Sequence, residues 1–323
     1  METLIDNNLI INDFEVSQET NGTFIEANTE KVTIEHLKND CVIPVFSKDN
    51  ESTLSHFEFI NSLYEVVTQL YPQNVILKPD IRVSHVIKGR TPSAIGKPVK
   101  ELLEHEKTIY YERMAFMIEI PEINRMLDGS KVSLTIGGVR AYNQENLYGK
   151  KTKEKFKIFI GFKNWVCCNL CLSTDGFSNE VKVLNTLELK ETAFQLFKGY
   201  SLENHLNQLL KLKDFKLSEN QFAGLMGRLK MYSYLKEDEK KDILTIEMND
   251  GHINTVIKNY YQDSNFSGFH SKEINLWRLY NLFTGANKSS YIDNCLERNI
   301  SFFELANNLA YSLENKTSNW FLN

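Results

Sequence analysis

Hydrophobic and polar positions alternate with a period of two over residues 109–173, and the pattern turns helical after about residue 186. Tyr110, Glu112, Met114, Phe116 and Ile118 alternate with Tyr111, Arg113, Ala115, Met117 and Glu119, as they would on the two faces of a strand. Val132, Leu134 and Ile136 repeat the pattern, then Phe156, Ile158, Ile160 and Phe162. The apolar run 165–172 reads as a further buried strand, with Asp175-Gly176 as the turn behind it. Together these predict an antiparallel meander with a loop at 143–154. Gly137-Gly138, inside a strand pattern, marks a bulge or a close backbone approach.

Ahead of the meander, 42–46 reads as a strand and 75–87 as another, interrupted at Pro79. Between them Phe57, Ile60, Tyr64, Val67 and Tyr71 recur at helical spacing, predicting a helix over 53–71 that Pro72 ends. Thr91 and Pro92 open a short turn of helix, and Pro98 another running to 104. Behind the meander, Leu189, Ala193 and Phe197 share a helical face, and Ser201 precedes Leu202, Leu206 and Leu209. Ser218 with Gln221, and Ser301 with Glu304, have the spacing of capping boxes. Ser271 is expected to open a helix bearing Ile274, Trp277 and Tyr280, and 242–248 reads as one more strand.

The expected fold is α+β, an antiparallel β-meander with a helical C-terminal half packed against it. Residues 1–51 read as an acidic arm with short strands, 52–175 as a helix plus sheet with a basic hairpin, and 176–323 as mainly helical. With 42% hydrophobic residues the chain can bury a sizeable core, which excludes global disorder. Five cysteines, three of them at Cys167, Cys168 and Cys171, do not form a disulfide framework. No apolar run approaches the ~20 residues of a membrane span, and the N-terminus is acidic. A reduced cytoplasm is the expected location, with no membrane partner.

Charge changes the picture. The net charge of −5 conceals a basic middle: residues 82–163 hold 16 Lys or Arg against 9 Asp or Glu, and residues 1–51 hold 3 against 11. Arg82, His85, Lys88 and Arg90 lie along a strand and the turn after it. Arg140 and Tyr142 enter the hairpin loop, which carries Tyr148, Lys150, Lys151, Lys153 and Lys155, with Lys157 beyond. Cations that neutralise phosphates, with aromatics on which bases stack, are what single-stranded nucleic acid requires. The rival reading of the same lysines is a solvated sheet edge protected from aggregation.

Catalytic signatures are absent from the sequence. Cys168-Asn-Leu-Cys171 has the spacing of half a zinc or redox site but no second pair, so a buried strand is the better account. Ser55-His56 and Ser84-His85 are adjacent in sequence, the wrong geometry for a nucleophile and its base. Nothing calls for a cofactor, a metal or a particular catalytic residue.

A set of strings carries a resemblance. Residues 43–51, Ile81-Arg-Val-Ser-His85, Tyr110-Tyr-Glu-Arg-Met114, Gly137-Gly-Val-Arg-Ala-Tyr142 and Phe159-Ile-Gly-Phe-Lys-Asn164 resemble a bacterial family of unknown function carried by prophages and conjugative elements. A broader phage- and plasmid-borne family is distantly similar, through Val166-Cys-Cys-Asn169 and Trp277-Arg-Leu-Tyr-Asn281. The resemblance implies a mobile-element accessory protein and supplies no site residues. Joined to the basic middle, it leads to the expectation of a protein that binds nucleic acid, single-stranded DNA above all. Two alternatives stand beside it. One is a module that binds a host protein, such as an inhibitor of a host defence system; the other is a metal-dependent nuclease.

Overall fold

The computed structural model describes residues 22–46, 53–145 and 153–323. In chain order these form β1 (Glu30–Val32), α1 (Ile34–Asn39), β2 (Ile43–Pro44), α2 (His56–Leu70), β3 (Asp80–Arg90), β4 (Lys107–Leu127), β5 (Ser130–Ala141), β6 (Glu154–Asn164) and β7 (Leu170–Val183). The helical half follows as α3 (Thr186–Gly199), α4 (Leu202–Leu212), β8 (Lys216–Ser218), α5 (Glu219–Tyr232), α6 (Glu237–Lys240), α7 (Asp250–Gln262), β9 (Glu273–Asn275), α8 (Leu276–Asn287) and α9 (Cys295–Asn315).

The antiparallel sheet runs β1-β3-β4-β5-β6-β7, with β2 also on β3, and the helices dominate the C-terminal half. The expected α+β fold with an antiparallel meander is the fold observed. Asp128 and Gly129, both at positive φ (45° and 80°), turn β4 into β5, with Leu127 opposite Ser130. That is the two-residue turn whose twist suits a hairpin. Pro121, which has no N–H for the ladder, sits where the register slips between Ile120 and Asn124.

Each element has a local cause. Ser55 Oγ accepts from the Glu58 N–H at 3.1 Å, and the Glu58 carboxylate accepts from the Ser55 N–H at 2.7 Å, so a full capping box starts α2. Phe59 and Leu63 of that helix are buried on the sheet. A Cβ at Gly138 would lie 2.5 Å from the Phe59 ring, and one at Gly137 would lie 2.1 Å from the Phe116 carbonyl oxygen. The glycine pair is therefore a close approach in unbroken register, the second of the two expectations. Met114, Phe116 and Ile118 face the main core with α2 and the C-terminal helices. Ala115, Met117 and Phe159, on the other face, join Phe24, Ile25, Ile292, Leu296 and Ile300 in a second, smaller core.

Several expectations are corrected. The run 165–172 is not one strand: 165–169 form the turn between β6 and β7, and Cys168 takes φ 57°. Asp175-Gly176 is not the turn after a strand, because β7 continues past it to Val183 with a register shift opposite Phe159 and Gly161. Residues 242–248 form no strand. The helix expected at Ser271 begins only at Leu276, behind the β9 bridge and an Asn275 cap that accepts from the Arg278 N–H. Ser301 caps nothing; it lies inside α9, with its hydroxyl on the Arg298 carbonyl. Helix α7 has its own visible period, in Ile253, Val256 and Tyr260, and an Asn249 cap. In the acidic arm, β1 and β2, the latter within the strand read at 42–46, both pair with β3.

Candidate functional site

One end of the sheet gathers both basic stretches of the sequence. In the antiparallel order, the C-terminal ends of β3, β5 and β7 and the N-terminal ends of β4 and β6 fall together: Lys88 opposes Ile109, Arg113 opposes Ala141, and Glu154 opposes Val183. Within that end the cations divide into two populations.

The first population is inside. Arg140 is 1% exposed. Its guanidinium donates to Glu145 at 3.2 Å, to Glu154 at 2.7 Å and to the Leu54 carbonyl, and it stacks over Tyr142 and Phe156. Glu154 also accepts from the Leu54 N–H at 2.9 Å. Burial pushes the Glu145 and Glu154 carboxyls up from the usual range, while Arg140 pulls both the other way. Tyr142 is buried and shares a 3.0 Å hydroxyl contact with Tyr110. His56 stacks on Tyr110 and bonds the Tyr111 carbonyl through Nε2 at 2.9 Å; burial, aided by Arg140, pushes it down to about 3. Arg90 is buried too, donating to the carbonyls of Val45, Ala94 and Lys97.

Three residues expected to touch nucleic acid are therefore interior. Arg90 and Arg140 are engaged with protein acceptors, and Tyr142 has no free face for a base. The sequence showed their charge and aromaticity but not their partners. Arg82 is half-buried and bonded to Thr29. Lys155 pairs with Glu180 at 2.9 Å, and Lys157 lies buried on Glu297 and on the Asp293 carbonyl at 2.5 Å.

The second population is outside. Lys88 and Lys153 are exposed and make no ion pair among the described residues. His85 is exposed at φ 61°, uncommon for a residue with a Cβ, and its Nδ1 lies 2.6 Å from Ser84 Oγ. Tyr148, Lys150 and Lys151 lie outside the described residues.

Beside the Arg140 cluster, a groove of about 450 Å³ runs along β5, β6 and β7 to the start of α9, bordered by Val139, Ala141, Lys155, Lys157, Asn179 and Glu297. Glu297 Oε2 is buried without a hydrogen-bond partner, although Oε1 receives Lys157. On the same face, Glu119 pairs with Lys163 at 2.5 Å and accepts from Ser133, which in turn receives the Trp165 indole N–H.

At the opposite end of β6, three asparagines that the sequence does not mark as a cluster lock sheet to helices. Asn164 and Asn169 donate, each at 2.9 Å, to the side chain and the backbone carbonyl of Asn281. Asn281 donates in turn to the Trp277 carbonyl. The two strings linked by the distant resemblance thus meet in space, at a buried joint. The cysteines beside it do not assemble as ligands: burial pushes Cys167 up to about 12 and Cys171 higher still, and all five thiols are free. Among the described residues, no group of three or more His, Cys, Asp or Glu is gathered as a metal site, and no helix is long and apolar enough to cross a membrane.

A family model described as "Domain of unknown function, B. Theta Gene description (DUF3871)" matches residues 4–322. The chain belongs to that family. No curated protein and no solved structure matches it. The family match spans sheet and helices alike, so the Arg140 cluster, the groove and the Asn281 joint all lie within the one family region.

Proposed function

We propose that this chain is a mobile-element accessory protein that binds nucleic acid, single-stranded DNA above all, at the hairpin end of its sheet. The observation that carries the reading is the register: it brings the exposed Lys88 of β3 to the same end as Lys153, which leads into β6. Lys150 and Lys151 precede Lys153 in sequence and add to the charge of that connection. The interior cations have a different role, since Arg140 ties the residues flanking the hairpin, Glu145 and Glu154, to Leu54. A rigid base under exposed ammonium groups suits backbone neutralisation without sequence readout. The mobile-element context draws on the resemblance alone.

Fluorescence polarisation of a labelled single strand across a salt series is the test. Affinity that falls steeply with salt is expected; absent or salt-insensitive binding defeats the reading.

A second reading, a protein-interaction module such as an inhibitor of a host defence system, draws on another feature. Helices α5 and α7 enclose a groove of about 430 Å³ lined by Phe222, Met226, Gly227, Ile253 and Ile257. It predicts binding to one host protein with no affinity for DNA, so salt-dependent strand binding counts against it. The metal-dependent nuclease has no gathered ligand set among the described residues to rest on.

A further inference from the structure

We propose that the groove between β5, β6, β7 and the start of α9 is a subsite for one unstacked nucleobase bearing an exocyclic amine, so that cytosine is preferred to thymine. The inference rests on the nucleic-acid reading above and adds to it a site with a chemical preference. At about 450 Å³ the groove falls within the roughly 300–1,000 Å³ of small-ligand sites. Val139 and Ala141, two residues apart on β5 and facing the same side, form the buried apolar floor of the groove. Lys155 borders the groove and the exposed Lys153 lies two residues before it, in line for the strand's phosphates.

Two polar groups give the preference. Asn179 is exposed in the groove wall, and its amide makes no hydrogen bond among the described residues. Glu297 carries the stronger signal: Lys157 satisfies Oε1, while Oε2 is buried with no donor. An unpaired buried carboxylate oxygen is unfavourable. The terminal torsion of a glutamate is soft and two-fold, so a small rotation presents Oε2 to the groove. The amine of cytosine or adenine donates to it there, whereas thymine offers a carbonyl, acceptor against acceptor.

The test uses the full chain with labelled oligo(dC) and oligo(dT) of roughly 12 nucleotides, within the ~4–16 nucleotides of a single-strand site. Polarisation titrations should give oligo(dC) about fivefold tighter binding. Glu297→Gln places an N–H donor in the carboxylate's position and should bring the ratio to about one or reverse it. Asn179→Ala, at an exposed position, should weaken oligo(dC) binding with the salt dependence unchanged, and it carries the test if Glu297→Gln fails to fold. Equal wild-type affinities, or a ratio unmoved by either variant while binding stays salt-dependent, overturn the subsite and leave the nucleic-acid reading standing. No binding of either strand overturns both.

Discussion

Two polar clusters hold the sheet to the rest of the chain, and they are built from opposite materials. Around Arg140 the groups are charged: one guanidinium faces two carboxylates in a buried setting. Around Asn281 they are neutral amides, each donating to a neighbour. A buried charge network holds only while every partner is present, because each ion has given up its hydration. An amide network loses one bond at a time. The charged cluster lies beside an open groove and exposed lysines; the amide cluster is closed over by α8. The first is thus placed to support the binding surface proposed above, and the second acts as a joint.

Removing Arg140 should break the contrast most severely. Arg140→Met leaves Glu145 and Glu154 buried without their cation and should cost about 3–5 kcal/mol, read as a drop in the urea midpoint. A loss within about 0.5 kcal/mol would mean that the cluster is solvated rather than structural.

Acid should come next, acting through buried imidazoles. Burial pushes His56, near Arg140, and His205, against Phe162 and Phe303, each down to about 3, and His252, in α7, down to about 4. Unfolded, each returns to about 6.5. Between those values the unfolded chain binds protons that the folded chain does not. Stability is therefore full above about pH 6.5 and falls as pH drops, by roughly 1.4 kcal/mol per group per unit. Urea midpoints between about pH 7 and 5.5 check it, and His205→Phe should remove about a third of the slope. A flat profile in the wild type would contradict the burial of these three rings.

Asn281→Ala should cost less than Arg140→Met, about 1–3 kcal/mol, since it orphans the buried Asn164 amide without stranding a charge. If calorimetry gives the reverse order, the comparison between the clusters fails.

The sequence revealed strand alternation and helix faces because burial repeats along them, and the capping box at Ser218 because its chemistry is local; the one at Ser55 went unread. The sequence hid whatever depends on a distant partner. Arg140 and Lys88 look alike in the chain, yet one meets Glu145 and Glu154 and the other meets solvent. The run 165–172 is apolar apart from Asn169, so a single polar residue was the one local mark of the turn at Cys168. Ser301-x-x-Glu304 has a cap's spacing, but the helix has already begun at Cys295.

The smallest stability effects should come from the exposed lysines. Lys88→Ala and Lys153→Ala should stay within about 0.5 kcal/mol of the wild type in urea while weakening DNA binding. That separation sets the binding surface apart from the clusters that support it.

The most direct measurement is the slope of log affinity against log salt for a single strand, in the wild type and in Lys88→Ala/Lys153→Ala. Each lysine that no longer neutralises a phosphate should make the slope shallower by about 0.7, so the double variant should differ from the wild type by about 1.4. An unchanged slope, or no binding to begin with, would contradict the claim that this end of the sheet meets DNA.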